Sequence, residues 1–344
     1  MYSRKHNKGR GRKRKDDFTW WQHRIEILKG HRDSVPSVEE IYDAASKRHP
    51  KIDNVIQAMK PWAGIKLALL SYYIGVYSTA IKSLVKLEDS KICYIDTFAG
   101  SGLVLTSKVG NKKVVLYGSP SLGMIVPKAE GKSFRMMDKF IFIEENWEKS
   151  LILKTVSSLI AEKIGISEES IQVINKDMNL IDYKSLMRKH KCDHALVFVD
   201  PYCCEPKWSV ISQILDLPTD VLINFMISEV RRQWGSSKSK ENAALDEYFG
   251  SREWRSAKNE RDLIDLYERN ISSKGRIVYK IKVHGQGLFY YYIMLVTRRT
   301  SGGNPWLEPI EKRLKPRIEK MSGNVFKRLI SIFEGDIATL DKYF

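Results

Sequence analysis

Five short apolar runs, each separated from the next by a stretch of helical character, leave this chain few folds: Ile92 to Ile95, Phe140 to Ile143, Ile171 to Ile174, Ala195 to Val199 and Val221 to Phe225. That alternation is the pattern of a parallel sheet with helices on both faces. Ala195 to Val199 is apolar without a break, as a strand buried on both sides requires. Two further runs, Ile277 to Val283 and Tyr290 to Thr297, are joined through Gly285-Gln286-Gly287. So short a link cannot cross over the sheet, so the two runs form an antiparallel pair. The sequence predicts an open α/β sheet, mostly parallel, with one antiparallel strand.

Ahead of that core, which we place at residues 88–300, residues 18–87 have a helical, aromatic-rich pattern punctuated by Pro36, Pro50 and Pro61. Pro61 suits the first turn of a helix. Trp62 to Ile81 has nearly the length of a membrane span, but it carries Lys66, Ser71, Tyr72, Tyr73, Tyr77, Ser78 and Thr79. A bilayer helix needs about 20 mostly apolar residues, so a helix packed on the core is expected and no membrane partner. Residues 4–15 hold eight Arg and Lys and no acid, which predicts a disordered basic arm over 1–17. Residues 301–344 are expected to form a basic helical segment.

The net charge of +17 points to a polyanionic partner, since neutralising phosphates releases their counterions. Cys93, Cys192, Cys203 and Cys204 lack metal-site spacing, so no metal is expected. So few cysteines suit a reducing, cytoplasmic compartment.

Candidate chemistry gathers at the ends of the β-type runs, where ligands bind open α/β sheets. After the first run comes Asp96-Thr97-Phe98-Ala99-Gly100-Ser101-Gly102. Gly100 and Gly102 allow backbone to approach a ligand beside Phe98, and Asp96 can accept from a cationic amino group. The pattern is neither GxGxxG nor a phosphate loop, so a methionine-type ligand is the better fit. Glu144, directly after the second run, can bind a pair of ribose hydroxyls. Asp177 can accept from the amine of adenine, with Met178 against its ring.

The fourth run delivers Asp200-Pro201-Tyr202, similar to the [DNS]-P-P-[YFW] motif of amino-methyltransferases with one proline fewer. A carboxylate and a carbonyl that accept an amine's hydrogens restore its nucleophilicity, and an aromatic face holds the ring in line. Cys203 and Cys204 raise a thiolate mechanism instead; inert thiols are the expectation.

Together Asp96 to Gly102, Gly118-Ser119-Pro120, Phe140 to Glu144 and Phe198 to Tyr202, with Trp208, resemble the three-Cys-motif partner family over roughly Trp62 to Arg299. The resemblance implies a Rossmann-like class I methyltransferase fold and S-adenosylmethionine as cofactor. It also implies Asp96, Gly100, Gly102 and Glu144 as cofactor contacts and Asp200, Pro201 and Tyr202 at the acceptor base. Relatives that look like transfer-RNA methyltransferases imply a tRNA guanosine, at N7 or the exocyclic amine, with RNA favoured over DNA. Cys203-Cys204 departs from the pattern, where glycine often follows the tyrosine.

A basic insertion, about residues 228–270, mixes Arg231, Arg232, Trp234, Trp254 and Arg255, a combination suited to phosphates and unpaired bases. The alternatives are a DNA amino-methyltransferase of a mobile-element or defence system, and a non-catalytic nucleic-acid-binding protein on the same fold.

Overall fold

The computed structural model describes residues 7–84, 90–106, 114–131, 134–236, 241–300 and 302–333, with backbone alone for 7–17, 82–84 and 332–333. Among these residues the strands are β1 (Gln57–Met59), β2 (Ile92–Asp96), β3 (Leu103–Thr106), β4 (Val115–Tyr117), β5 (Lys139–Ile143), β6 (Ile171–Ile174), β7 (His194–Val199), β8 (Thr219–Phe225), β9 (Arg276–His284) and β10 (Tyr290–Arg298). Seven of them form one sheet in the order β6-β5-β2-β7-β8-β10-β9. β6, β5, β2, β7 and β8 run parallel, and β10 is antiparallel to both neighbours. This is the Rossmann-like α/β class expected, with its single reversed strand.

Alternate side chains of the central strands fill two cores. Tyr94, Phe140, Phe142, Leu196, Phe198 and Leu222 face one; Ile95, Ile141, Ile143, Val197, Val199 and Ile223 face the other. Each such side chain contributes about 1.5–3 kcal/mol by leaving water, which is why these strands tolerate no polar interruption except near their tips.

The first core is covered by helices Asn7–Lys29, Val38–Arg48, Pro61–Leu84, Ser119–Glu130, Trp147–Ile164 and Gly323–Phe333. The terminal segments are thus parts of one core rather than attachments: Trp21 meets Phe326 edge-on with centroids 6.0 Å apart. Arg24, 4% exposed, is paired with Glu130. Pro61 starts its helix as expected. The apolar window Pro61–Ile81 is long and apolar enough to cross a membrane, but 72% of its window is buried in this core.

The second core lies under Tyr183–Lys189, Trp208–Asp216, Ile227–Ser236, Ala243–Phe249 and Glu260–Ser272. The expected basic insertion therefore supplies three of the helices in the layer that closes one face of the sheet.

Three findings differ from the sequence reading. The helix Asn7–Lys29 begins inside the arm expected to be disordered; Arg4 and Lys5 lie outside the described residues. Cys93, at the start of β2, forms a disulfide with Cys192, just before β7. The two strands are sheet neighbours, which holds the Cα atoms 5.7 Å apart, within bonding reach. The cysteine count therefore no longer argues for a reducing compartment. Finally, β1, β3 and β4 form a small second sheet, with β1 parallel to β3 and β3 antiparallel to β4. It ties a segment expected to be helical to the chain just beyond Gly102.

Candidate active site

The strand order reverses between β2 and β7: the chain leaves β2 for β5 and β6 on one side and returns to β7 on the other. The loop after β2 spans that break and is held from both flanks. Thr97 donates its backbone N–H to the Phe198 carbonyl at 3.0 Å, and Ala99 donates to the Ile143 carbonyl at 2.9 Å. Gly100 (φ +62°) and Gly102 (φ +79°) then turn the chain in the left-handed region, where only glycine is unstrained. They differ in surroundings. A Cβ on Gly102 would meet Leu153 and Val156 at 3.1–3.2 Å, whereas one on Gly100 would meet nothing within 4 Å. Gly102 serves packing; Gly100 keeps a space open.

That space is a cavity of about 1240 Å³ at the carboxyl edge of the sheet. It exceeds the range of about 300–1,000 Å³ common for one small ligand, and so has room for a cofactor and an acceptor group. Phe98, Gly100, Gly102, Glu144, Asp177, Met178, Asp200, Pro201 and Tyr202 all line it. The sequence had placed them together, and the fold does so.

On the β5–β6 side, Glu144 accepts the N–H of Gly100 at 2.7 Å on one oxygen and that of Asn146 at 2.8 Å on the other. Each oxygen retains a lone pair, so the carboxylate can also accept ribose hydroxyls from the cavity. Asn146 caps the helix Trp147–Ile164 by accepting from Lys149 N–H, which sets the direction in which the chain leaves Glu144. Asp177 accepts from the backbone of Asn179 at 2.8 Å and Met178 is 2% exposed. The carboxylate beside the buried thioether makes a wall with one polar and one soft apolar element.

Asp96 is a correction. It is fully buried, is not part of the cavity wall, and accepts the N–H of Phe98 at 3.2 Å. It braces the loop from behind and does not face a ligand, because the chain turns at Thr97, immediately after it. Burial, with further contributions from nearby Asp200 and Glu144, pushes its carboxyl up to about 7. An unfolded aspartate ionises near 3.9, so the fold holds this proton where the unfolded chain has lost it. Its contribution to stability is then complete below about pH 4 and lost as pH rises through about 7. Asp96→Asn keeps the acceptor for Phe98. Its melting temperature relative to the natural chain is expected to rise between pH 5 and pH 8; a constant difference refutes this.

On the β7–β8 side, Asp200 is held by two residues the sequence reading did not assign to the site. Lys66 Nζ donates to Oδ1 at 2.7 Å and to Oδ2 at 2.5 Å, and Asn224 Nδ2 donates to Oδ1 at 2.7 Å. Lys66 comes from the apolar helix Pro61–Leu84 and Asn224 from β8, and both line the cavity. Tyr202 is 72% exposed at its rim, available to a flat ring. Neither Cys203 nor Cys204 lines the cavity, and their sulfurs lie 3.6 Å apart. The hydrogen bond with Cys204 lowers the Cys203 thiol to about 7, so what sets these thiols apart from the chemistry is their place outside the cavity wall. Among the described residues no His, Cys, Asp and Glu cluster is suited to a metal.

Comparison with known proteins returns only distant likenesses. No family model and no curated protein matches the chain. The resemblance to the three-Cys-motif partner family therefore rests on its motifs alone. Among solved structures, protein LPL1258 from Legionella pneumophila, of family DUF519, is similar over 73% of this chain and 91% of its own, with 10% identity and TM-score 0.42. An O-methyltransferase from Bacillus cereus in complex with SAH covers 75% and 100%, with 9% identity and TM-score 0.33. Magnesium protoporphyrin IX methyltransferase from Synechocystis, with bound SAH, covers 75% and 99%, with 9% identity and TM-score 0.36. Scores and identities this low carry no argument about what this chain does.

Each arginine expected to hold nucleic acid has an acidic neighbour. Arg231 pairs with Glu260 at 3.2 Å, Arg232 with Glu229 at 2.8 Å, and Arg255 with Asp246 at 2.7 Å. Trp254 is wholly buried and donates its Nε1–H to Asp246 at 2.8 Å, so its indole supports the helical layer instead of stacking on a base. Trp234 is half-buried against the second core. Arg232, 69% exposed and next to cavity-lining Glu229, is the one of these that stays near the mouth. Lys60, Lys149, Lys176 and the 57%-exposed Trp147 line the cavity without having been singled out. Lys149 sits on a helix and Lys176 in a turn, each too ordinary in sequence to stand out.

Proposed function

We propose that this chain is a methyltransferase that uses S-adenosylmethionine and acts on a base nitrogen of RNA. The observation that carries the reading is the single cavity at the switch point. The open cradle at Gly100, with Glu144, Asp177 and Met178, lies on one side of it and Asp200-Pro201-Tyr202 on the other. Glu144 suits the ribose and Asp177 with Met178 the adenine, so the residues present fit that cofactor. When bound, S-adenosylmethionine supplies an electrophilic methyl group on a sulfonium. Asp200 accepts hydrogen from the nucleophile and Tyr202 presents a face to its ring. Positioning of this kind accounts for most of the acceleration expected in an in-line displacement.

The net charge of +17 supports a nucleic acid as the acceptor's carrier, and an unpaired RNA base is easier to bring to a pocket than one stacked in a duplex. A transfer-RNA guanosine is the first target to test. The test is transfer of labelled methyl from S-adenosylmethionine to bulk transfer RNA and, in parallel, to duplex DNA. Labelling of the RNA is expected. Labelling of DNA alone would convert the reading to a DNA amino-methyltransferase, and failure to bind the cofactor in equilibrium dialysis would leave a non-catalytic binding protein.

A further inference from the structure

Every residue of β8 from Val221 to Phe225 is buried, and all but Asn224 are apolar. A lone amide in such a strand is costly unless both of its ends are satisfied. Only one is. Nδ2 donates to Asp200 Oδ1 at 2.7 Å, and because a carboxylate can only accept there, this bond fixes which end of the amide is which. Oδ1 is buried and has no hydrogen-bond partner, and the residue as a whole is 3% exposed. No other cavity-lining residue described has a buried side-chain acceptor left unpaired.

We infer that Asn224 Oδ1 is a subsite for the acceptor group and accepts a hydrogen from an exocyclic amine, beside the Asp200 carboxylate. This rests on reading the cavity as a methyl-transfer site and deepens it by choosing between two kinds of nucleophile. The wall around the subsite is built of acceptors: the Asp200 carboxylate and the Asn224 carbonyl oxygen. Lys66, the neighbouring cation, directs its bonds to both Asp200 oxygens, so its charge is matched within the wall. An exocyclic amine brings two hydrogens to such a surface. The N7 edge of guanine, with N7 and O6, brings none and would set lone pairs against lone pairs.

In the step itself the amine nitrogen forms the new N–C bond while the S–C bond breaks with its electron pair remaining on sulfur. One amine hydrogen leaves as a proton, through Asp200 to solvent. The second hydrogen stays on nitrogen and donates a hydrogen bond to Asn224 Oδ1, which orients the amine so that its lone pair points along the line of attack. Lys66 acts through Asp200 and is a positioning residue.

The experiment uses the full chain with bulk transfer RNA and duplex DNA as acceptors. Methylated nucleosides are identified by mass spectrometry, and cofactor Kd is measured by equilibrium dialysis. The natural chain is expected to methylate an exocyclic amine. Asn224→Leu should lower kcat about 100-fold with the cofactor Kd within about twofold, and Asn224→Ser, which restores an oxygen, should recover about tenfold of that loss. If the leucine variant melts below the assay temperature, the serine variant against the natural chain decides.

A ring-nitrogen product, unchanged kcat in Asn224→Leu, or cofactor binding without transfer to either nucleic acid overturns the inference. A natural chain that binds no cofactor instead overturns the reading beneath it.

Discussion

Asp200→Asn is expected to lower methyl transfer by about 10²–10⁴-fold, the range for losing a positioned proton acceptor, while S-adenosylmethionine binds within about threefold of normal. The separation follows from geometry. Asp200 follows β7, whereas Glu144, Asp177 and Met178 follow β5 and β6, on the other side of β2. The substitution also strips Lys66, only 14% exposed, of its partner, and an uncompensated, largely buried ammonium is destabilising. A fall in melting temperature should therefore accompany the kinetic loss. Lys66→Met combined with Asp200→Asn should recover stability without recovering activity. Full turnover by the single variant, measured with labelled cofactor, would remove Asp200 from the chemistry.

Gly100→Ala is expected to weaken cofactor binding more than 30-fold. An alanine at φ +62° costs about 1–2 kcal/mol in backbone strain, and its methyl would occupy the space that the loop keeps open. Gly165 provides the control. It ends the helix Trp147–Ile164 at φ +75°, and a Cβ there also meets nothing within 4 Å, but it is not part of the cavity wall. Gly165→Ala should thus show similar strain in a melting experiment and normal cofactor affinity by equilibrium dialysis. Equal loss of affinity in both variants would mean that strain, and not ligand space, explains Gly100.

The sheet was legible because each of its strands is a run of mostly apolar residues, and in β2, β5, β7 and β8 burial on both faces makes the run nearly continuous. Ile171 to Ile174 matches β6 end for end, and the other six runs fall short by no more than two residues at either end. Legibility stopped where elements are short or where a residue's meaning lies in its partner. β1, β3 and β4 are three or four residues each, too brief for a period to show. Lys66 and Asn224 were visible as single polar residues within apolar elements, but only the fold brings both to Asp200. The opposite failure is Trp254: beside Arg255 it has the composition of a base-stacking surface, and burial gives it to the core. Asp96 failed for a local reason, since a strand-end carboxylate faces the ligand only if the chain turns one residue later than it does here.

The pairing of Gln57–Met59 alongside Leu103–Thr106 means that this protein has no clean seam ahead of its first core strand. A fragment started at residue 88 would keep each recognisable motif yet lose one flank of the pocket, including the only lysine that neutralises Asp200 among the described contacts. The leading segment is therefore built into the pocket wall twice over, through Gln57–Met59 beside Leu103 and through Lys66 beside Asp200.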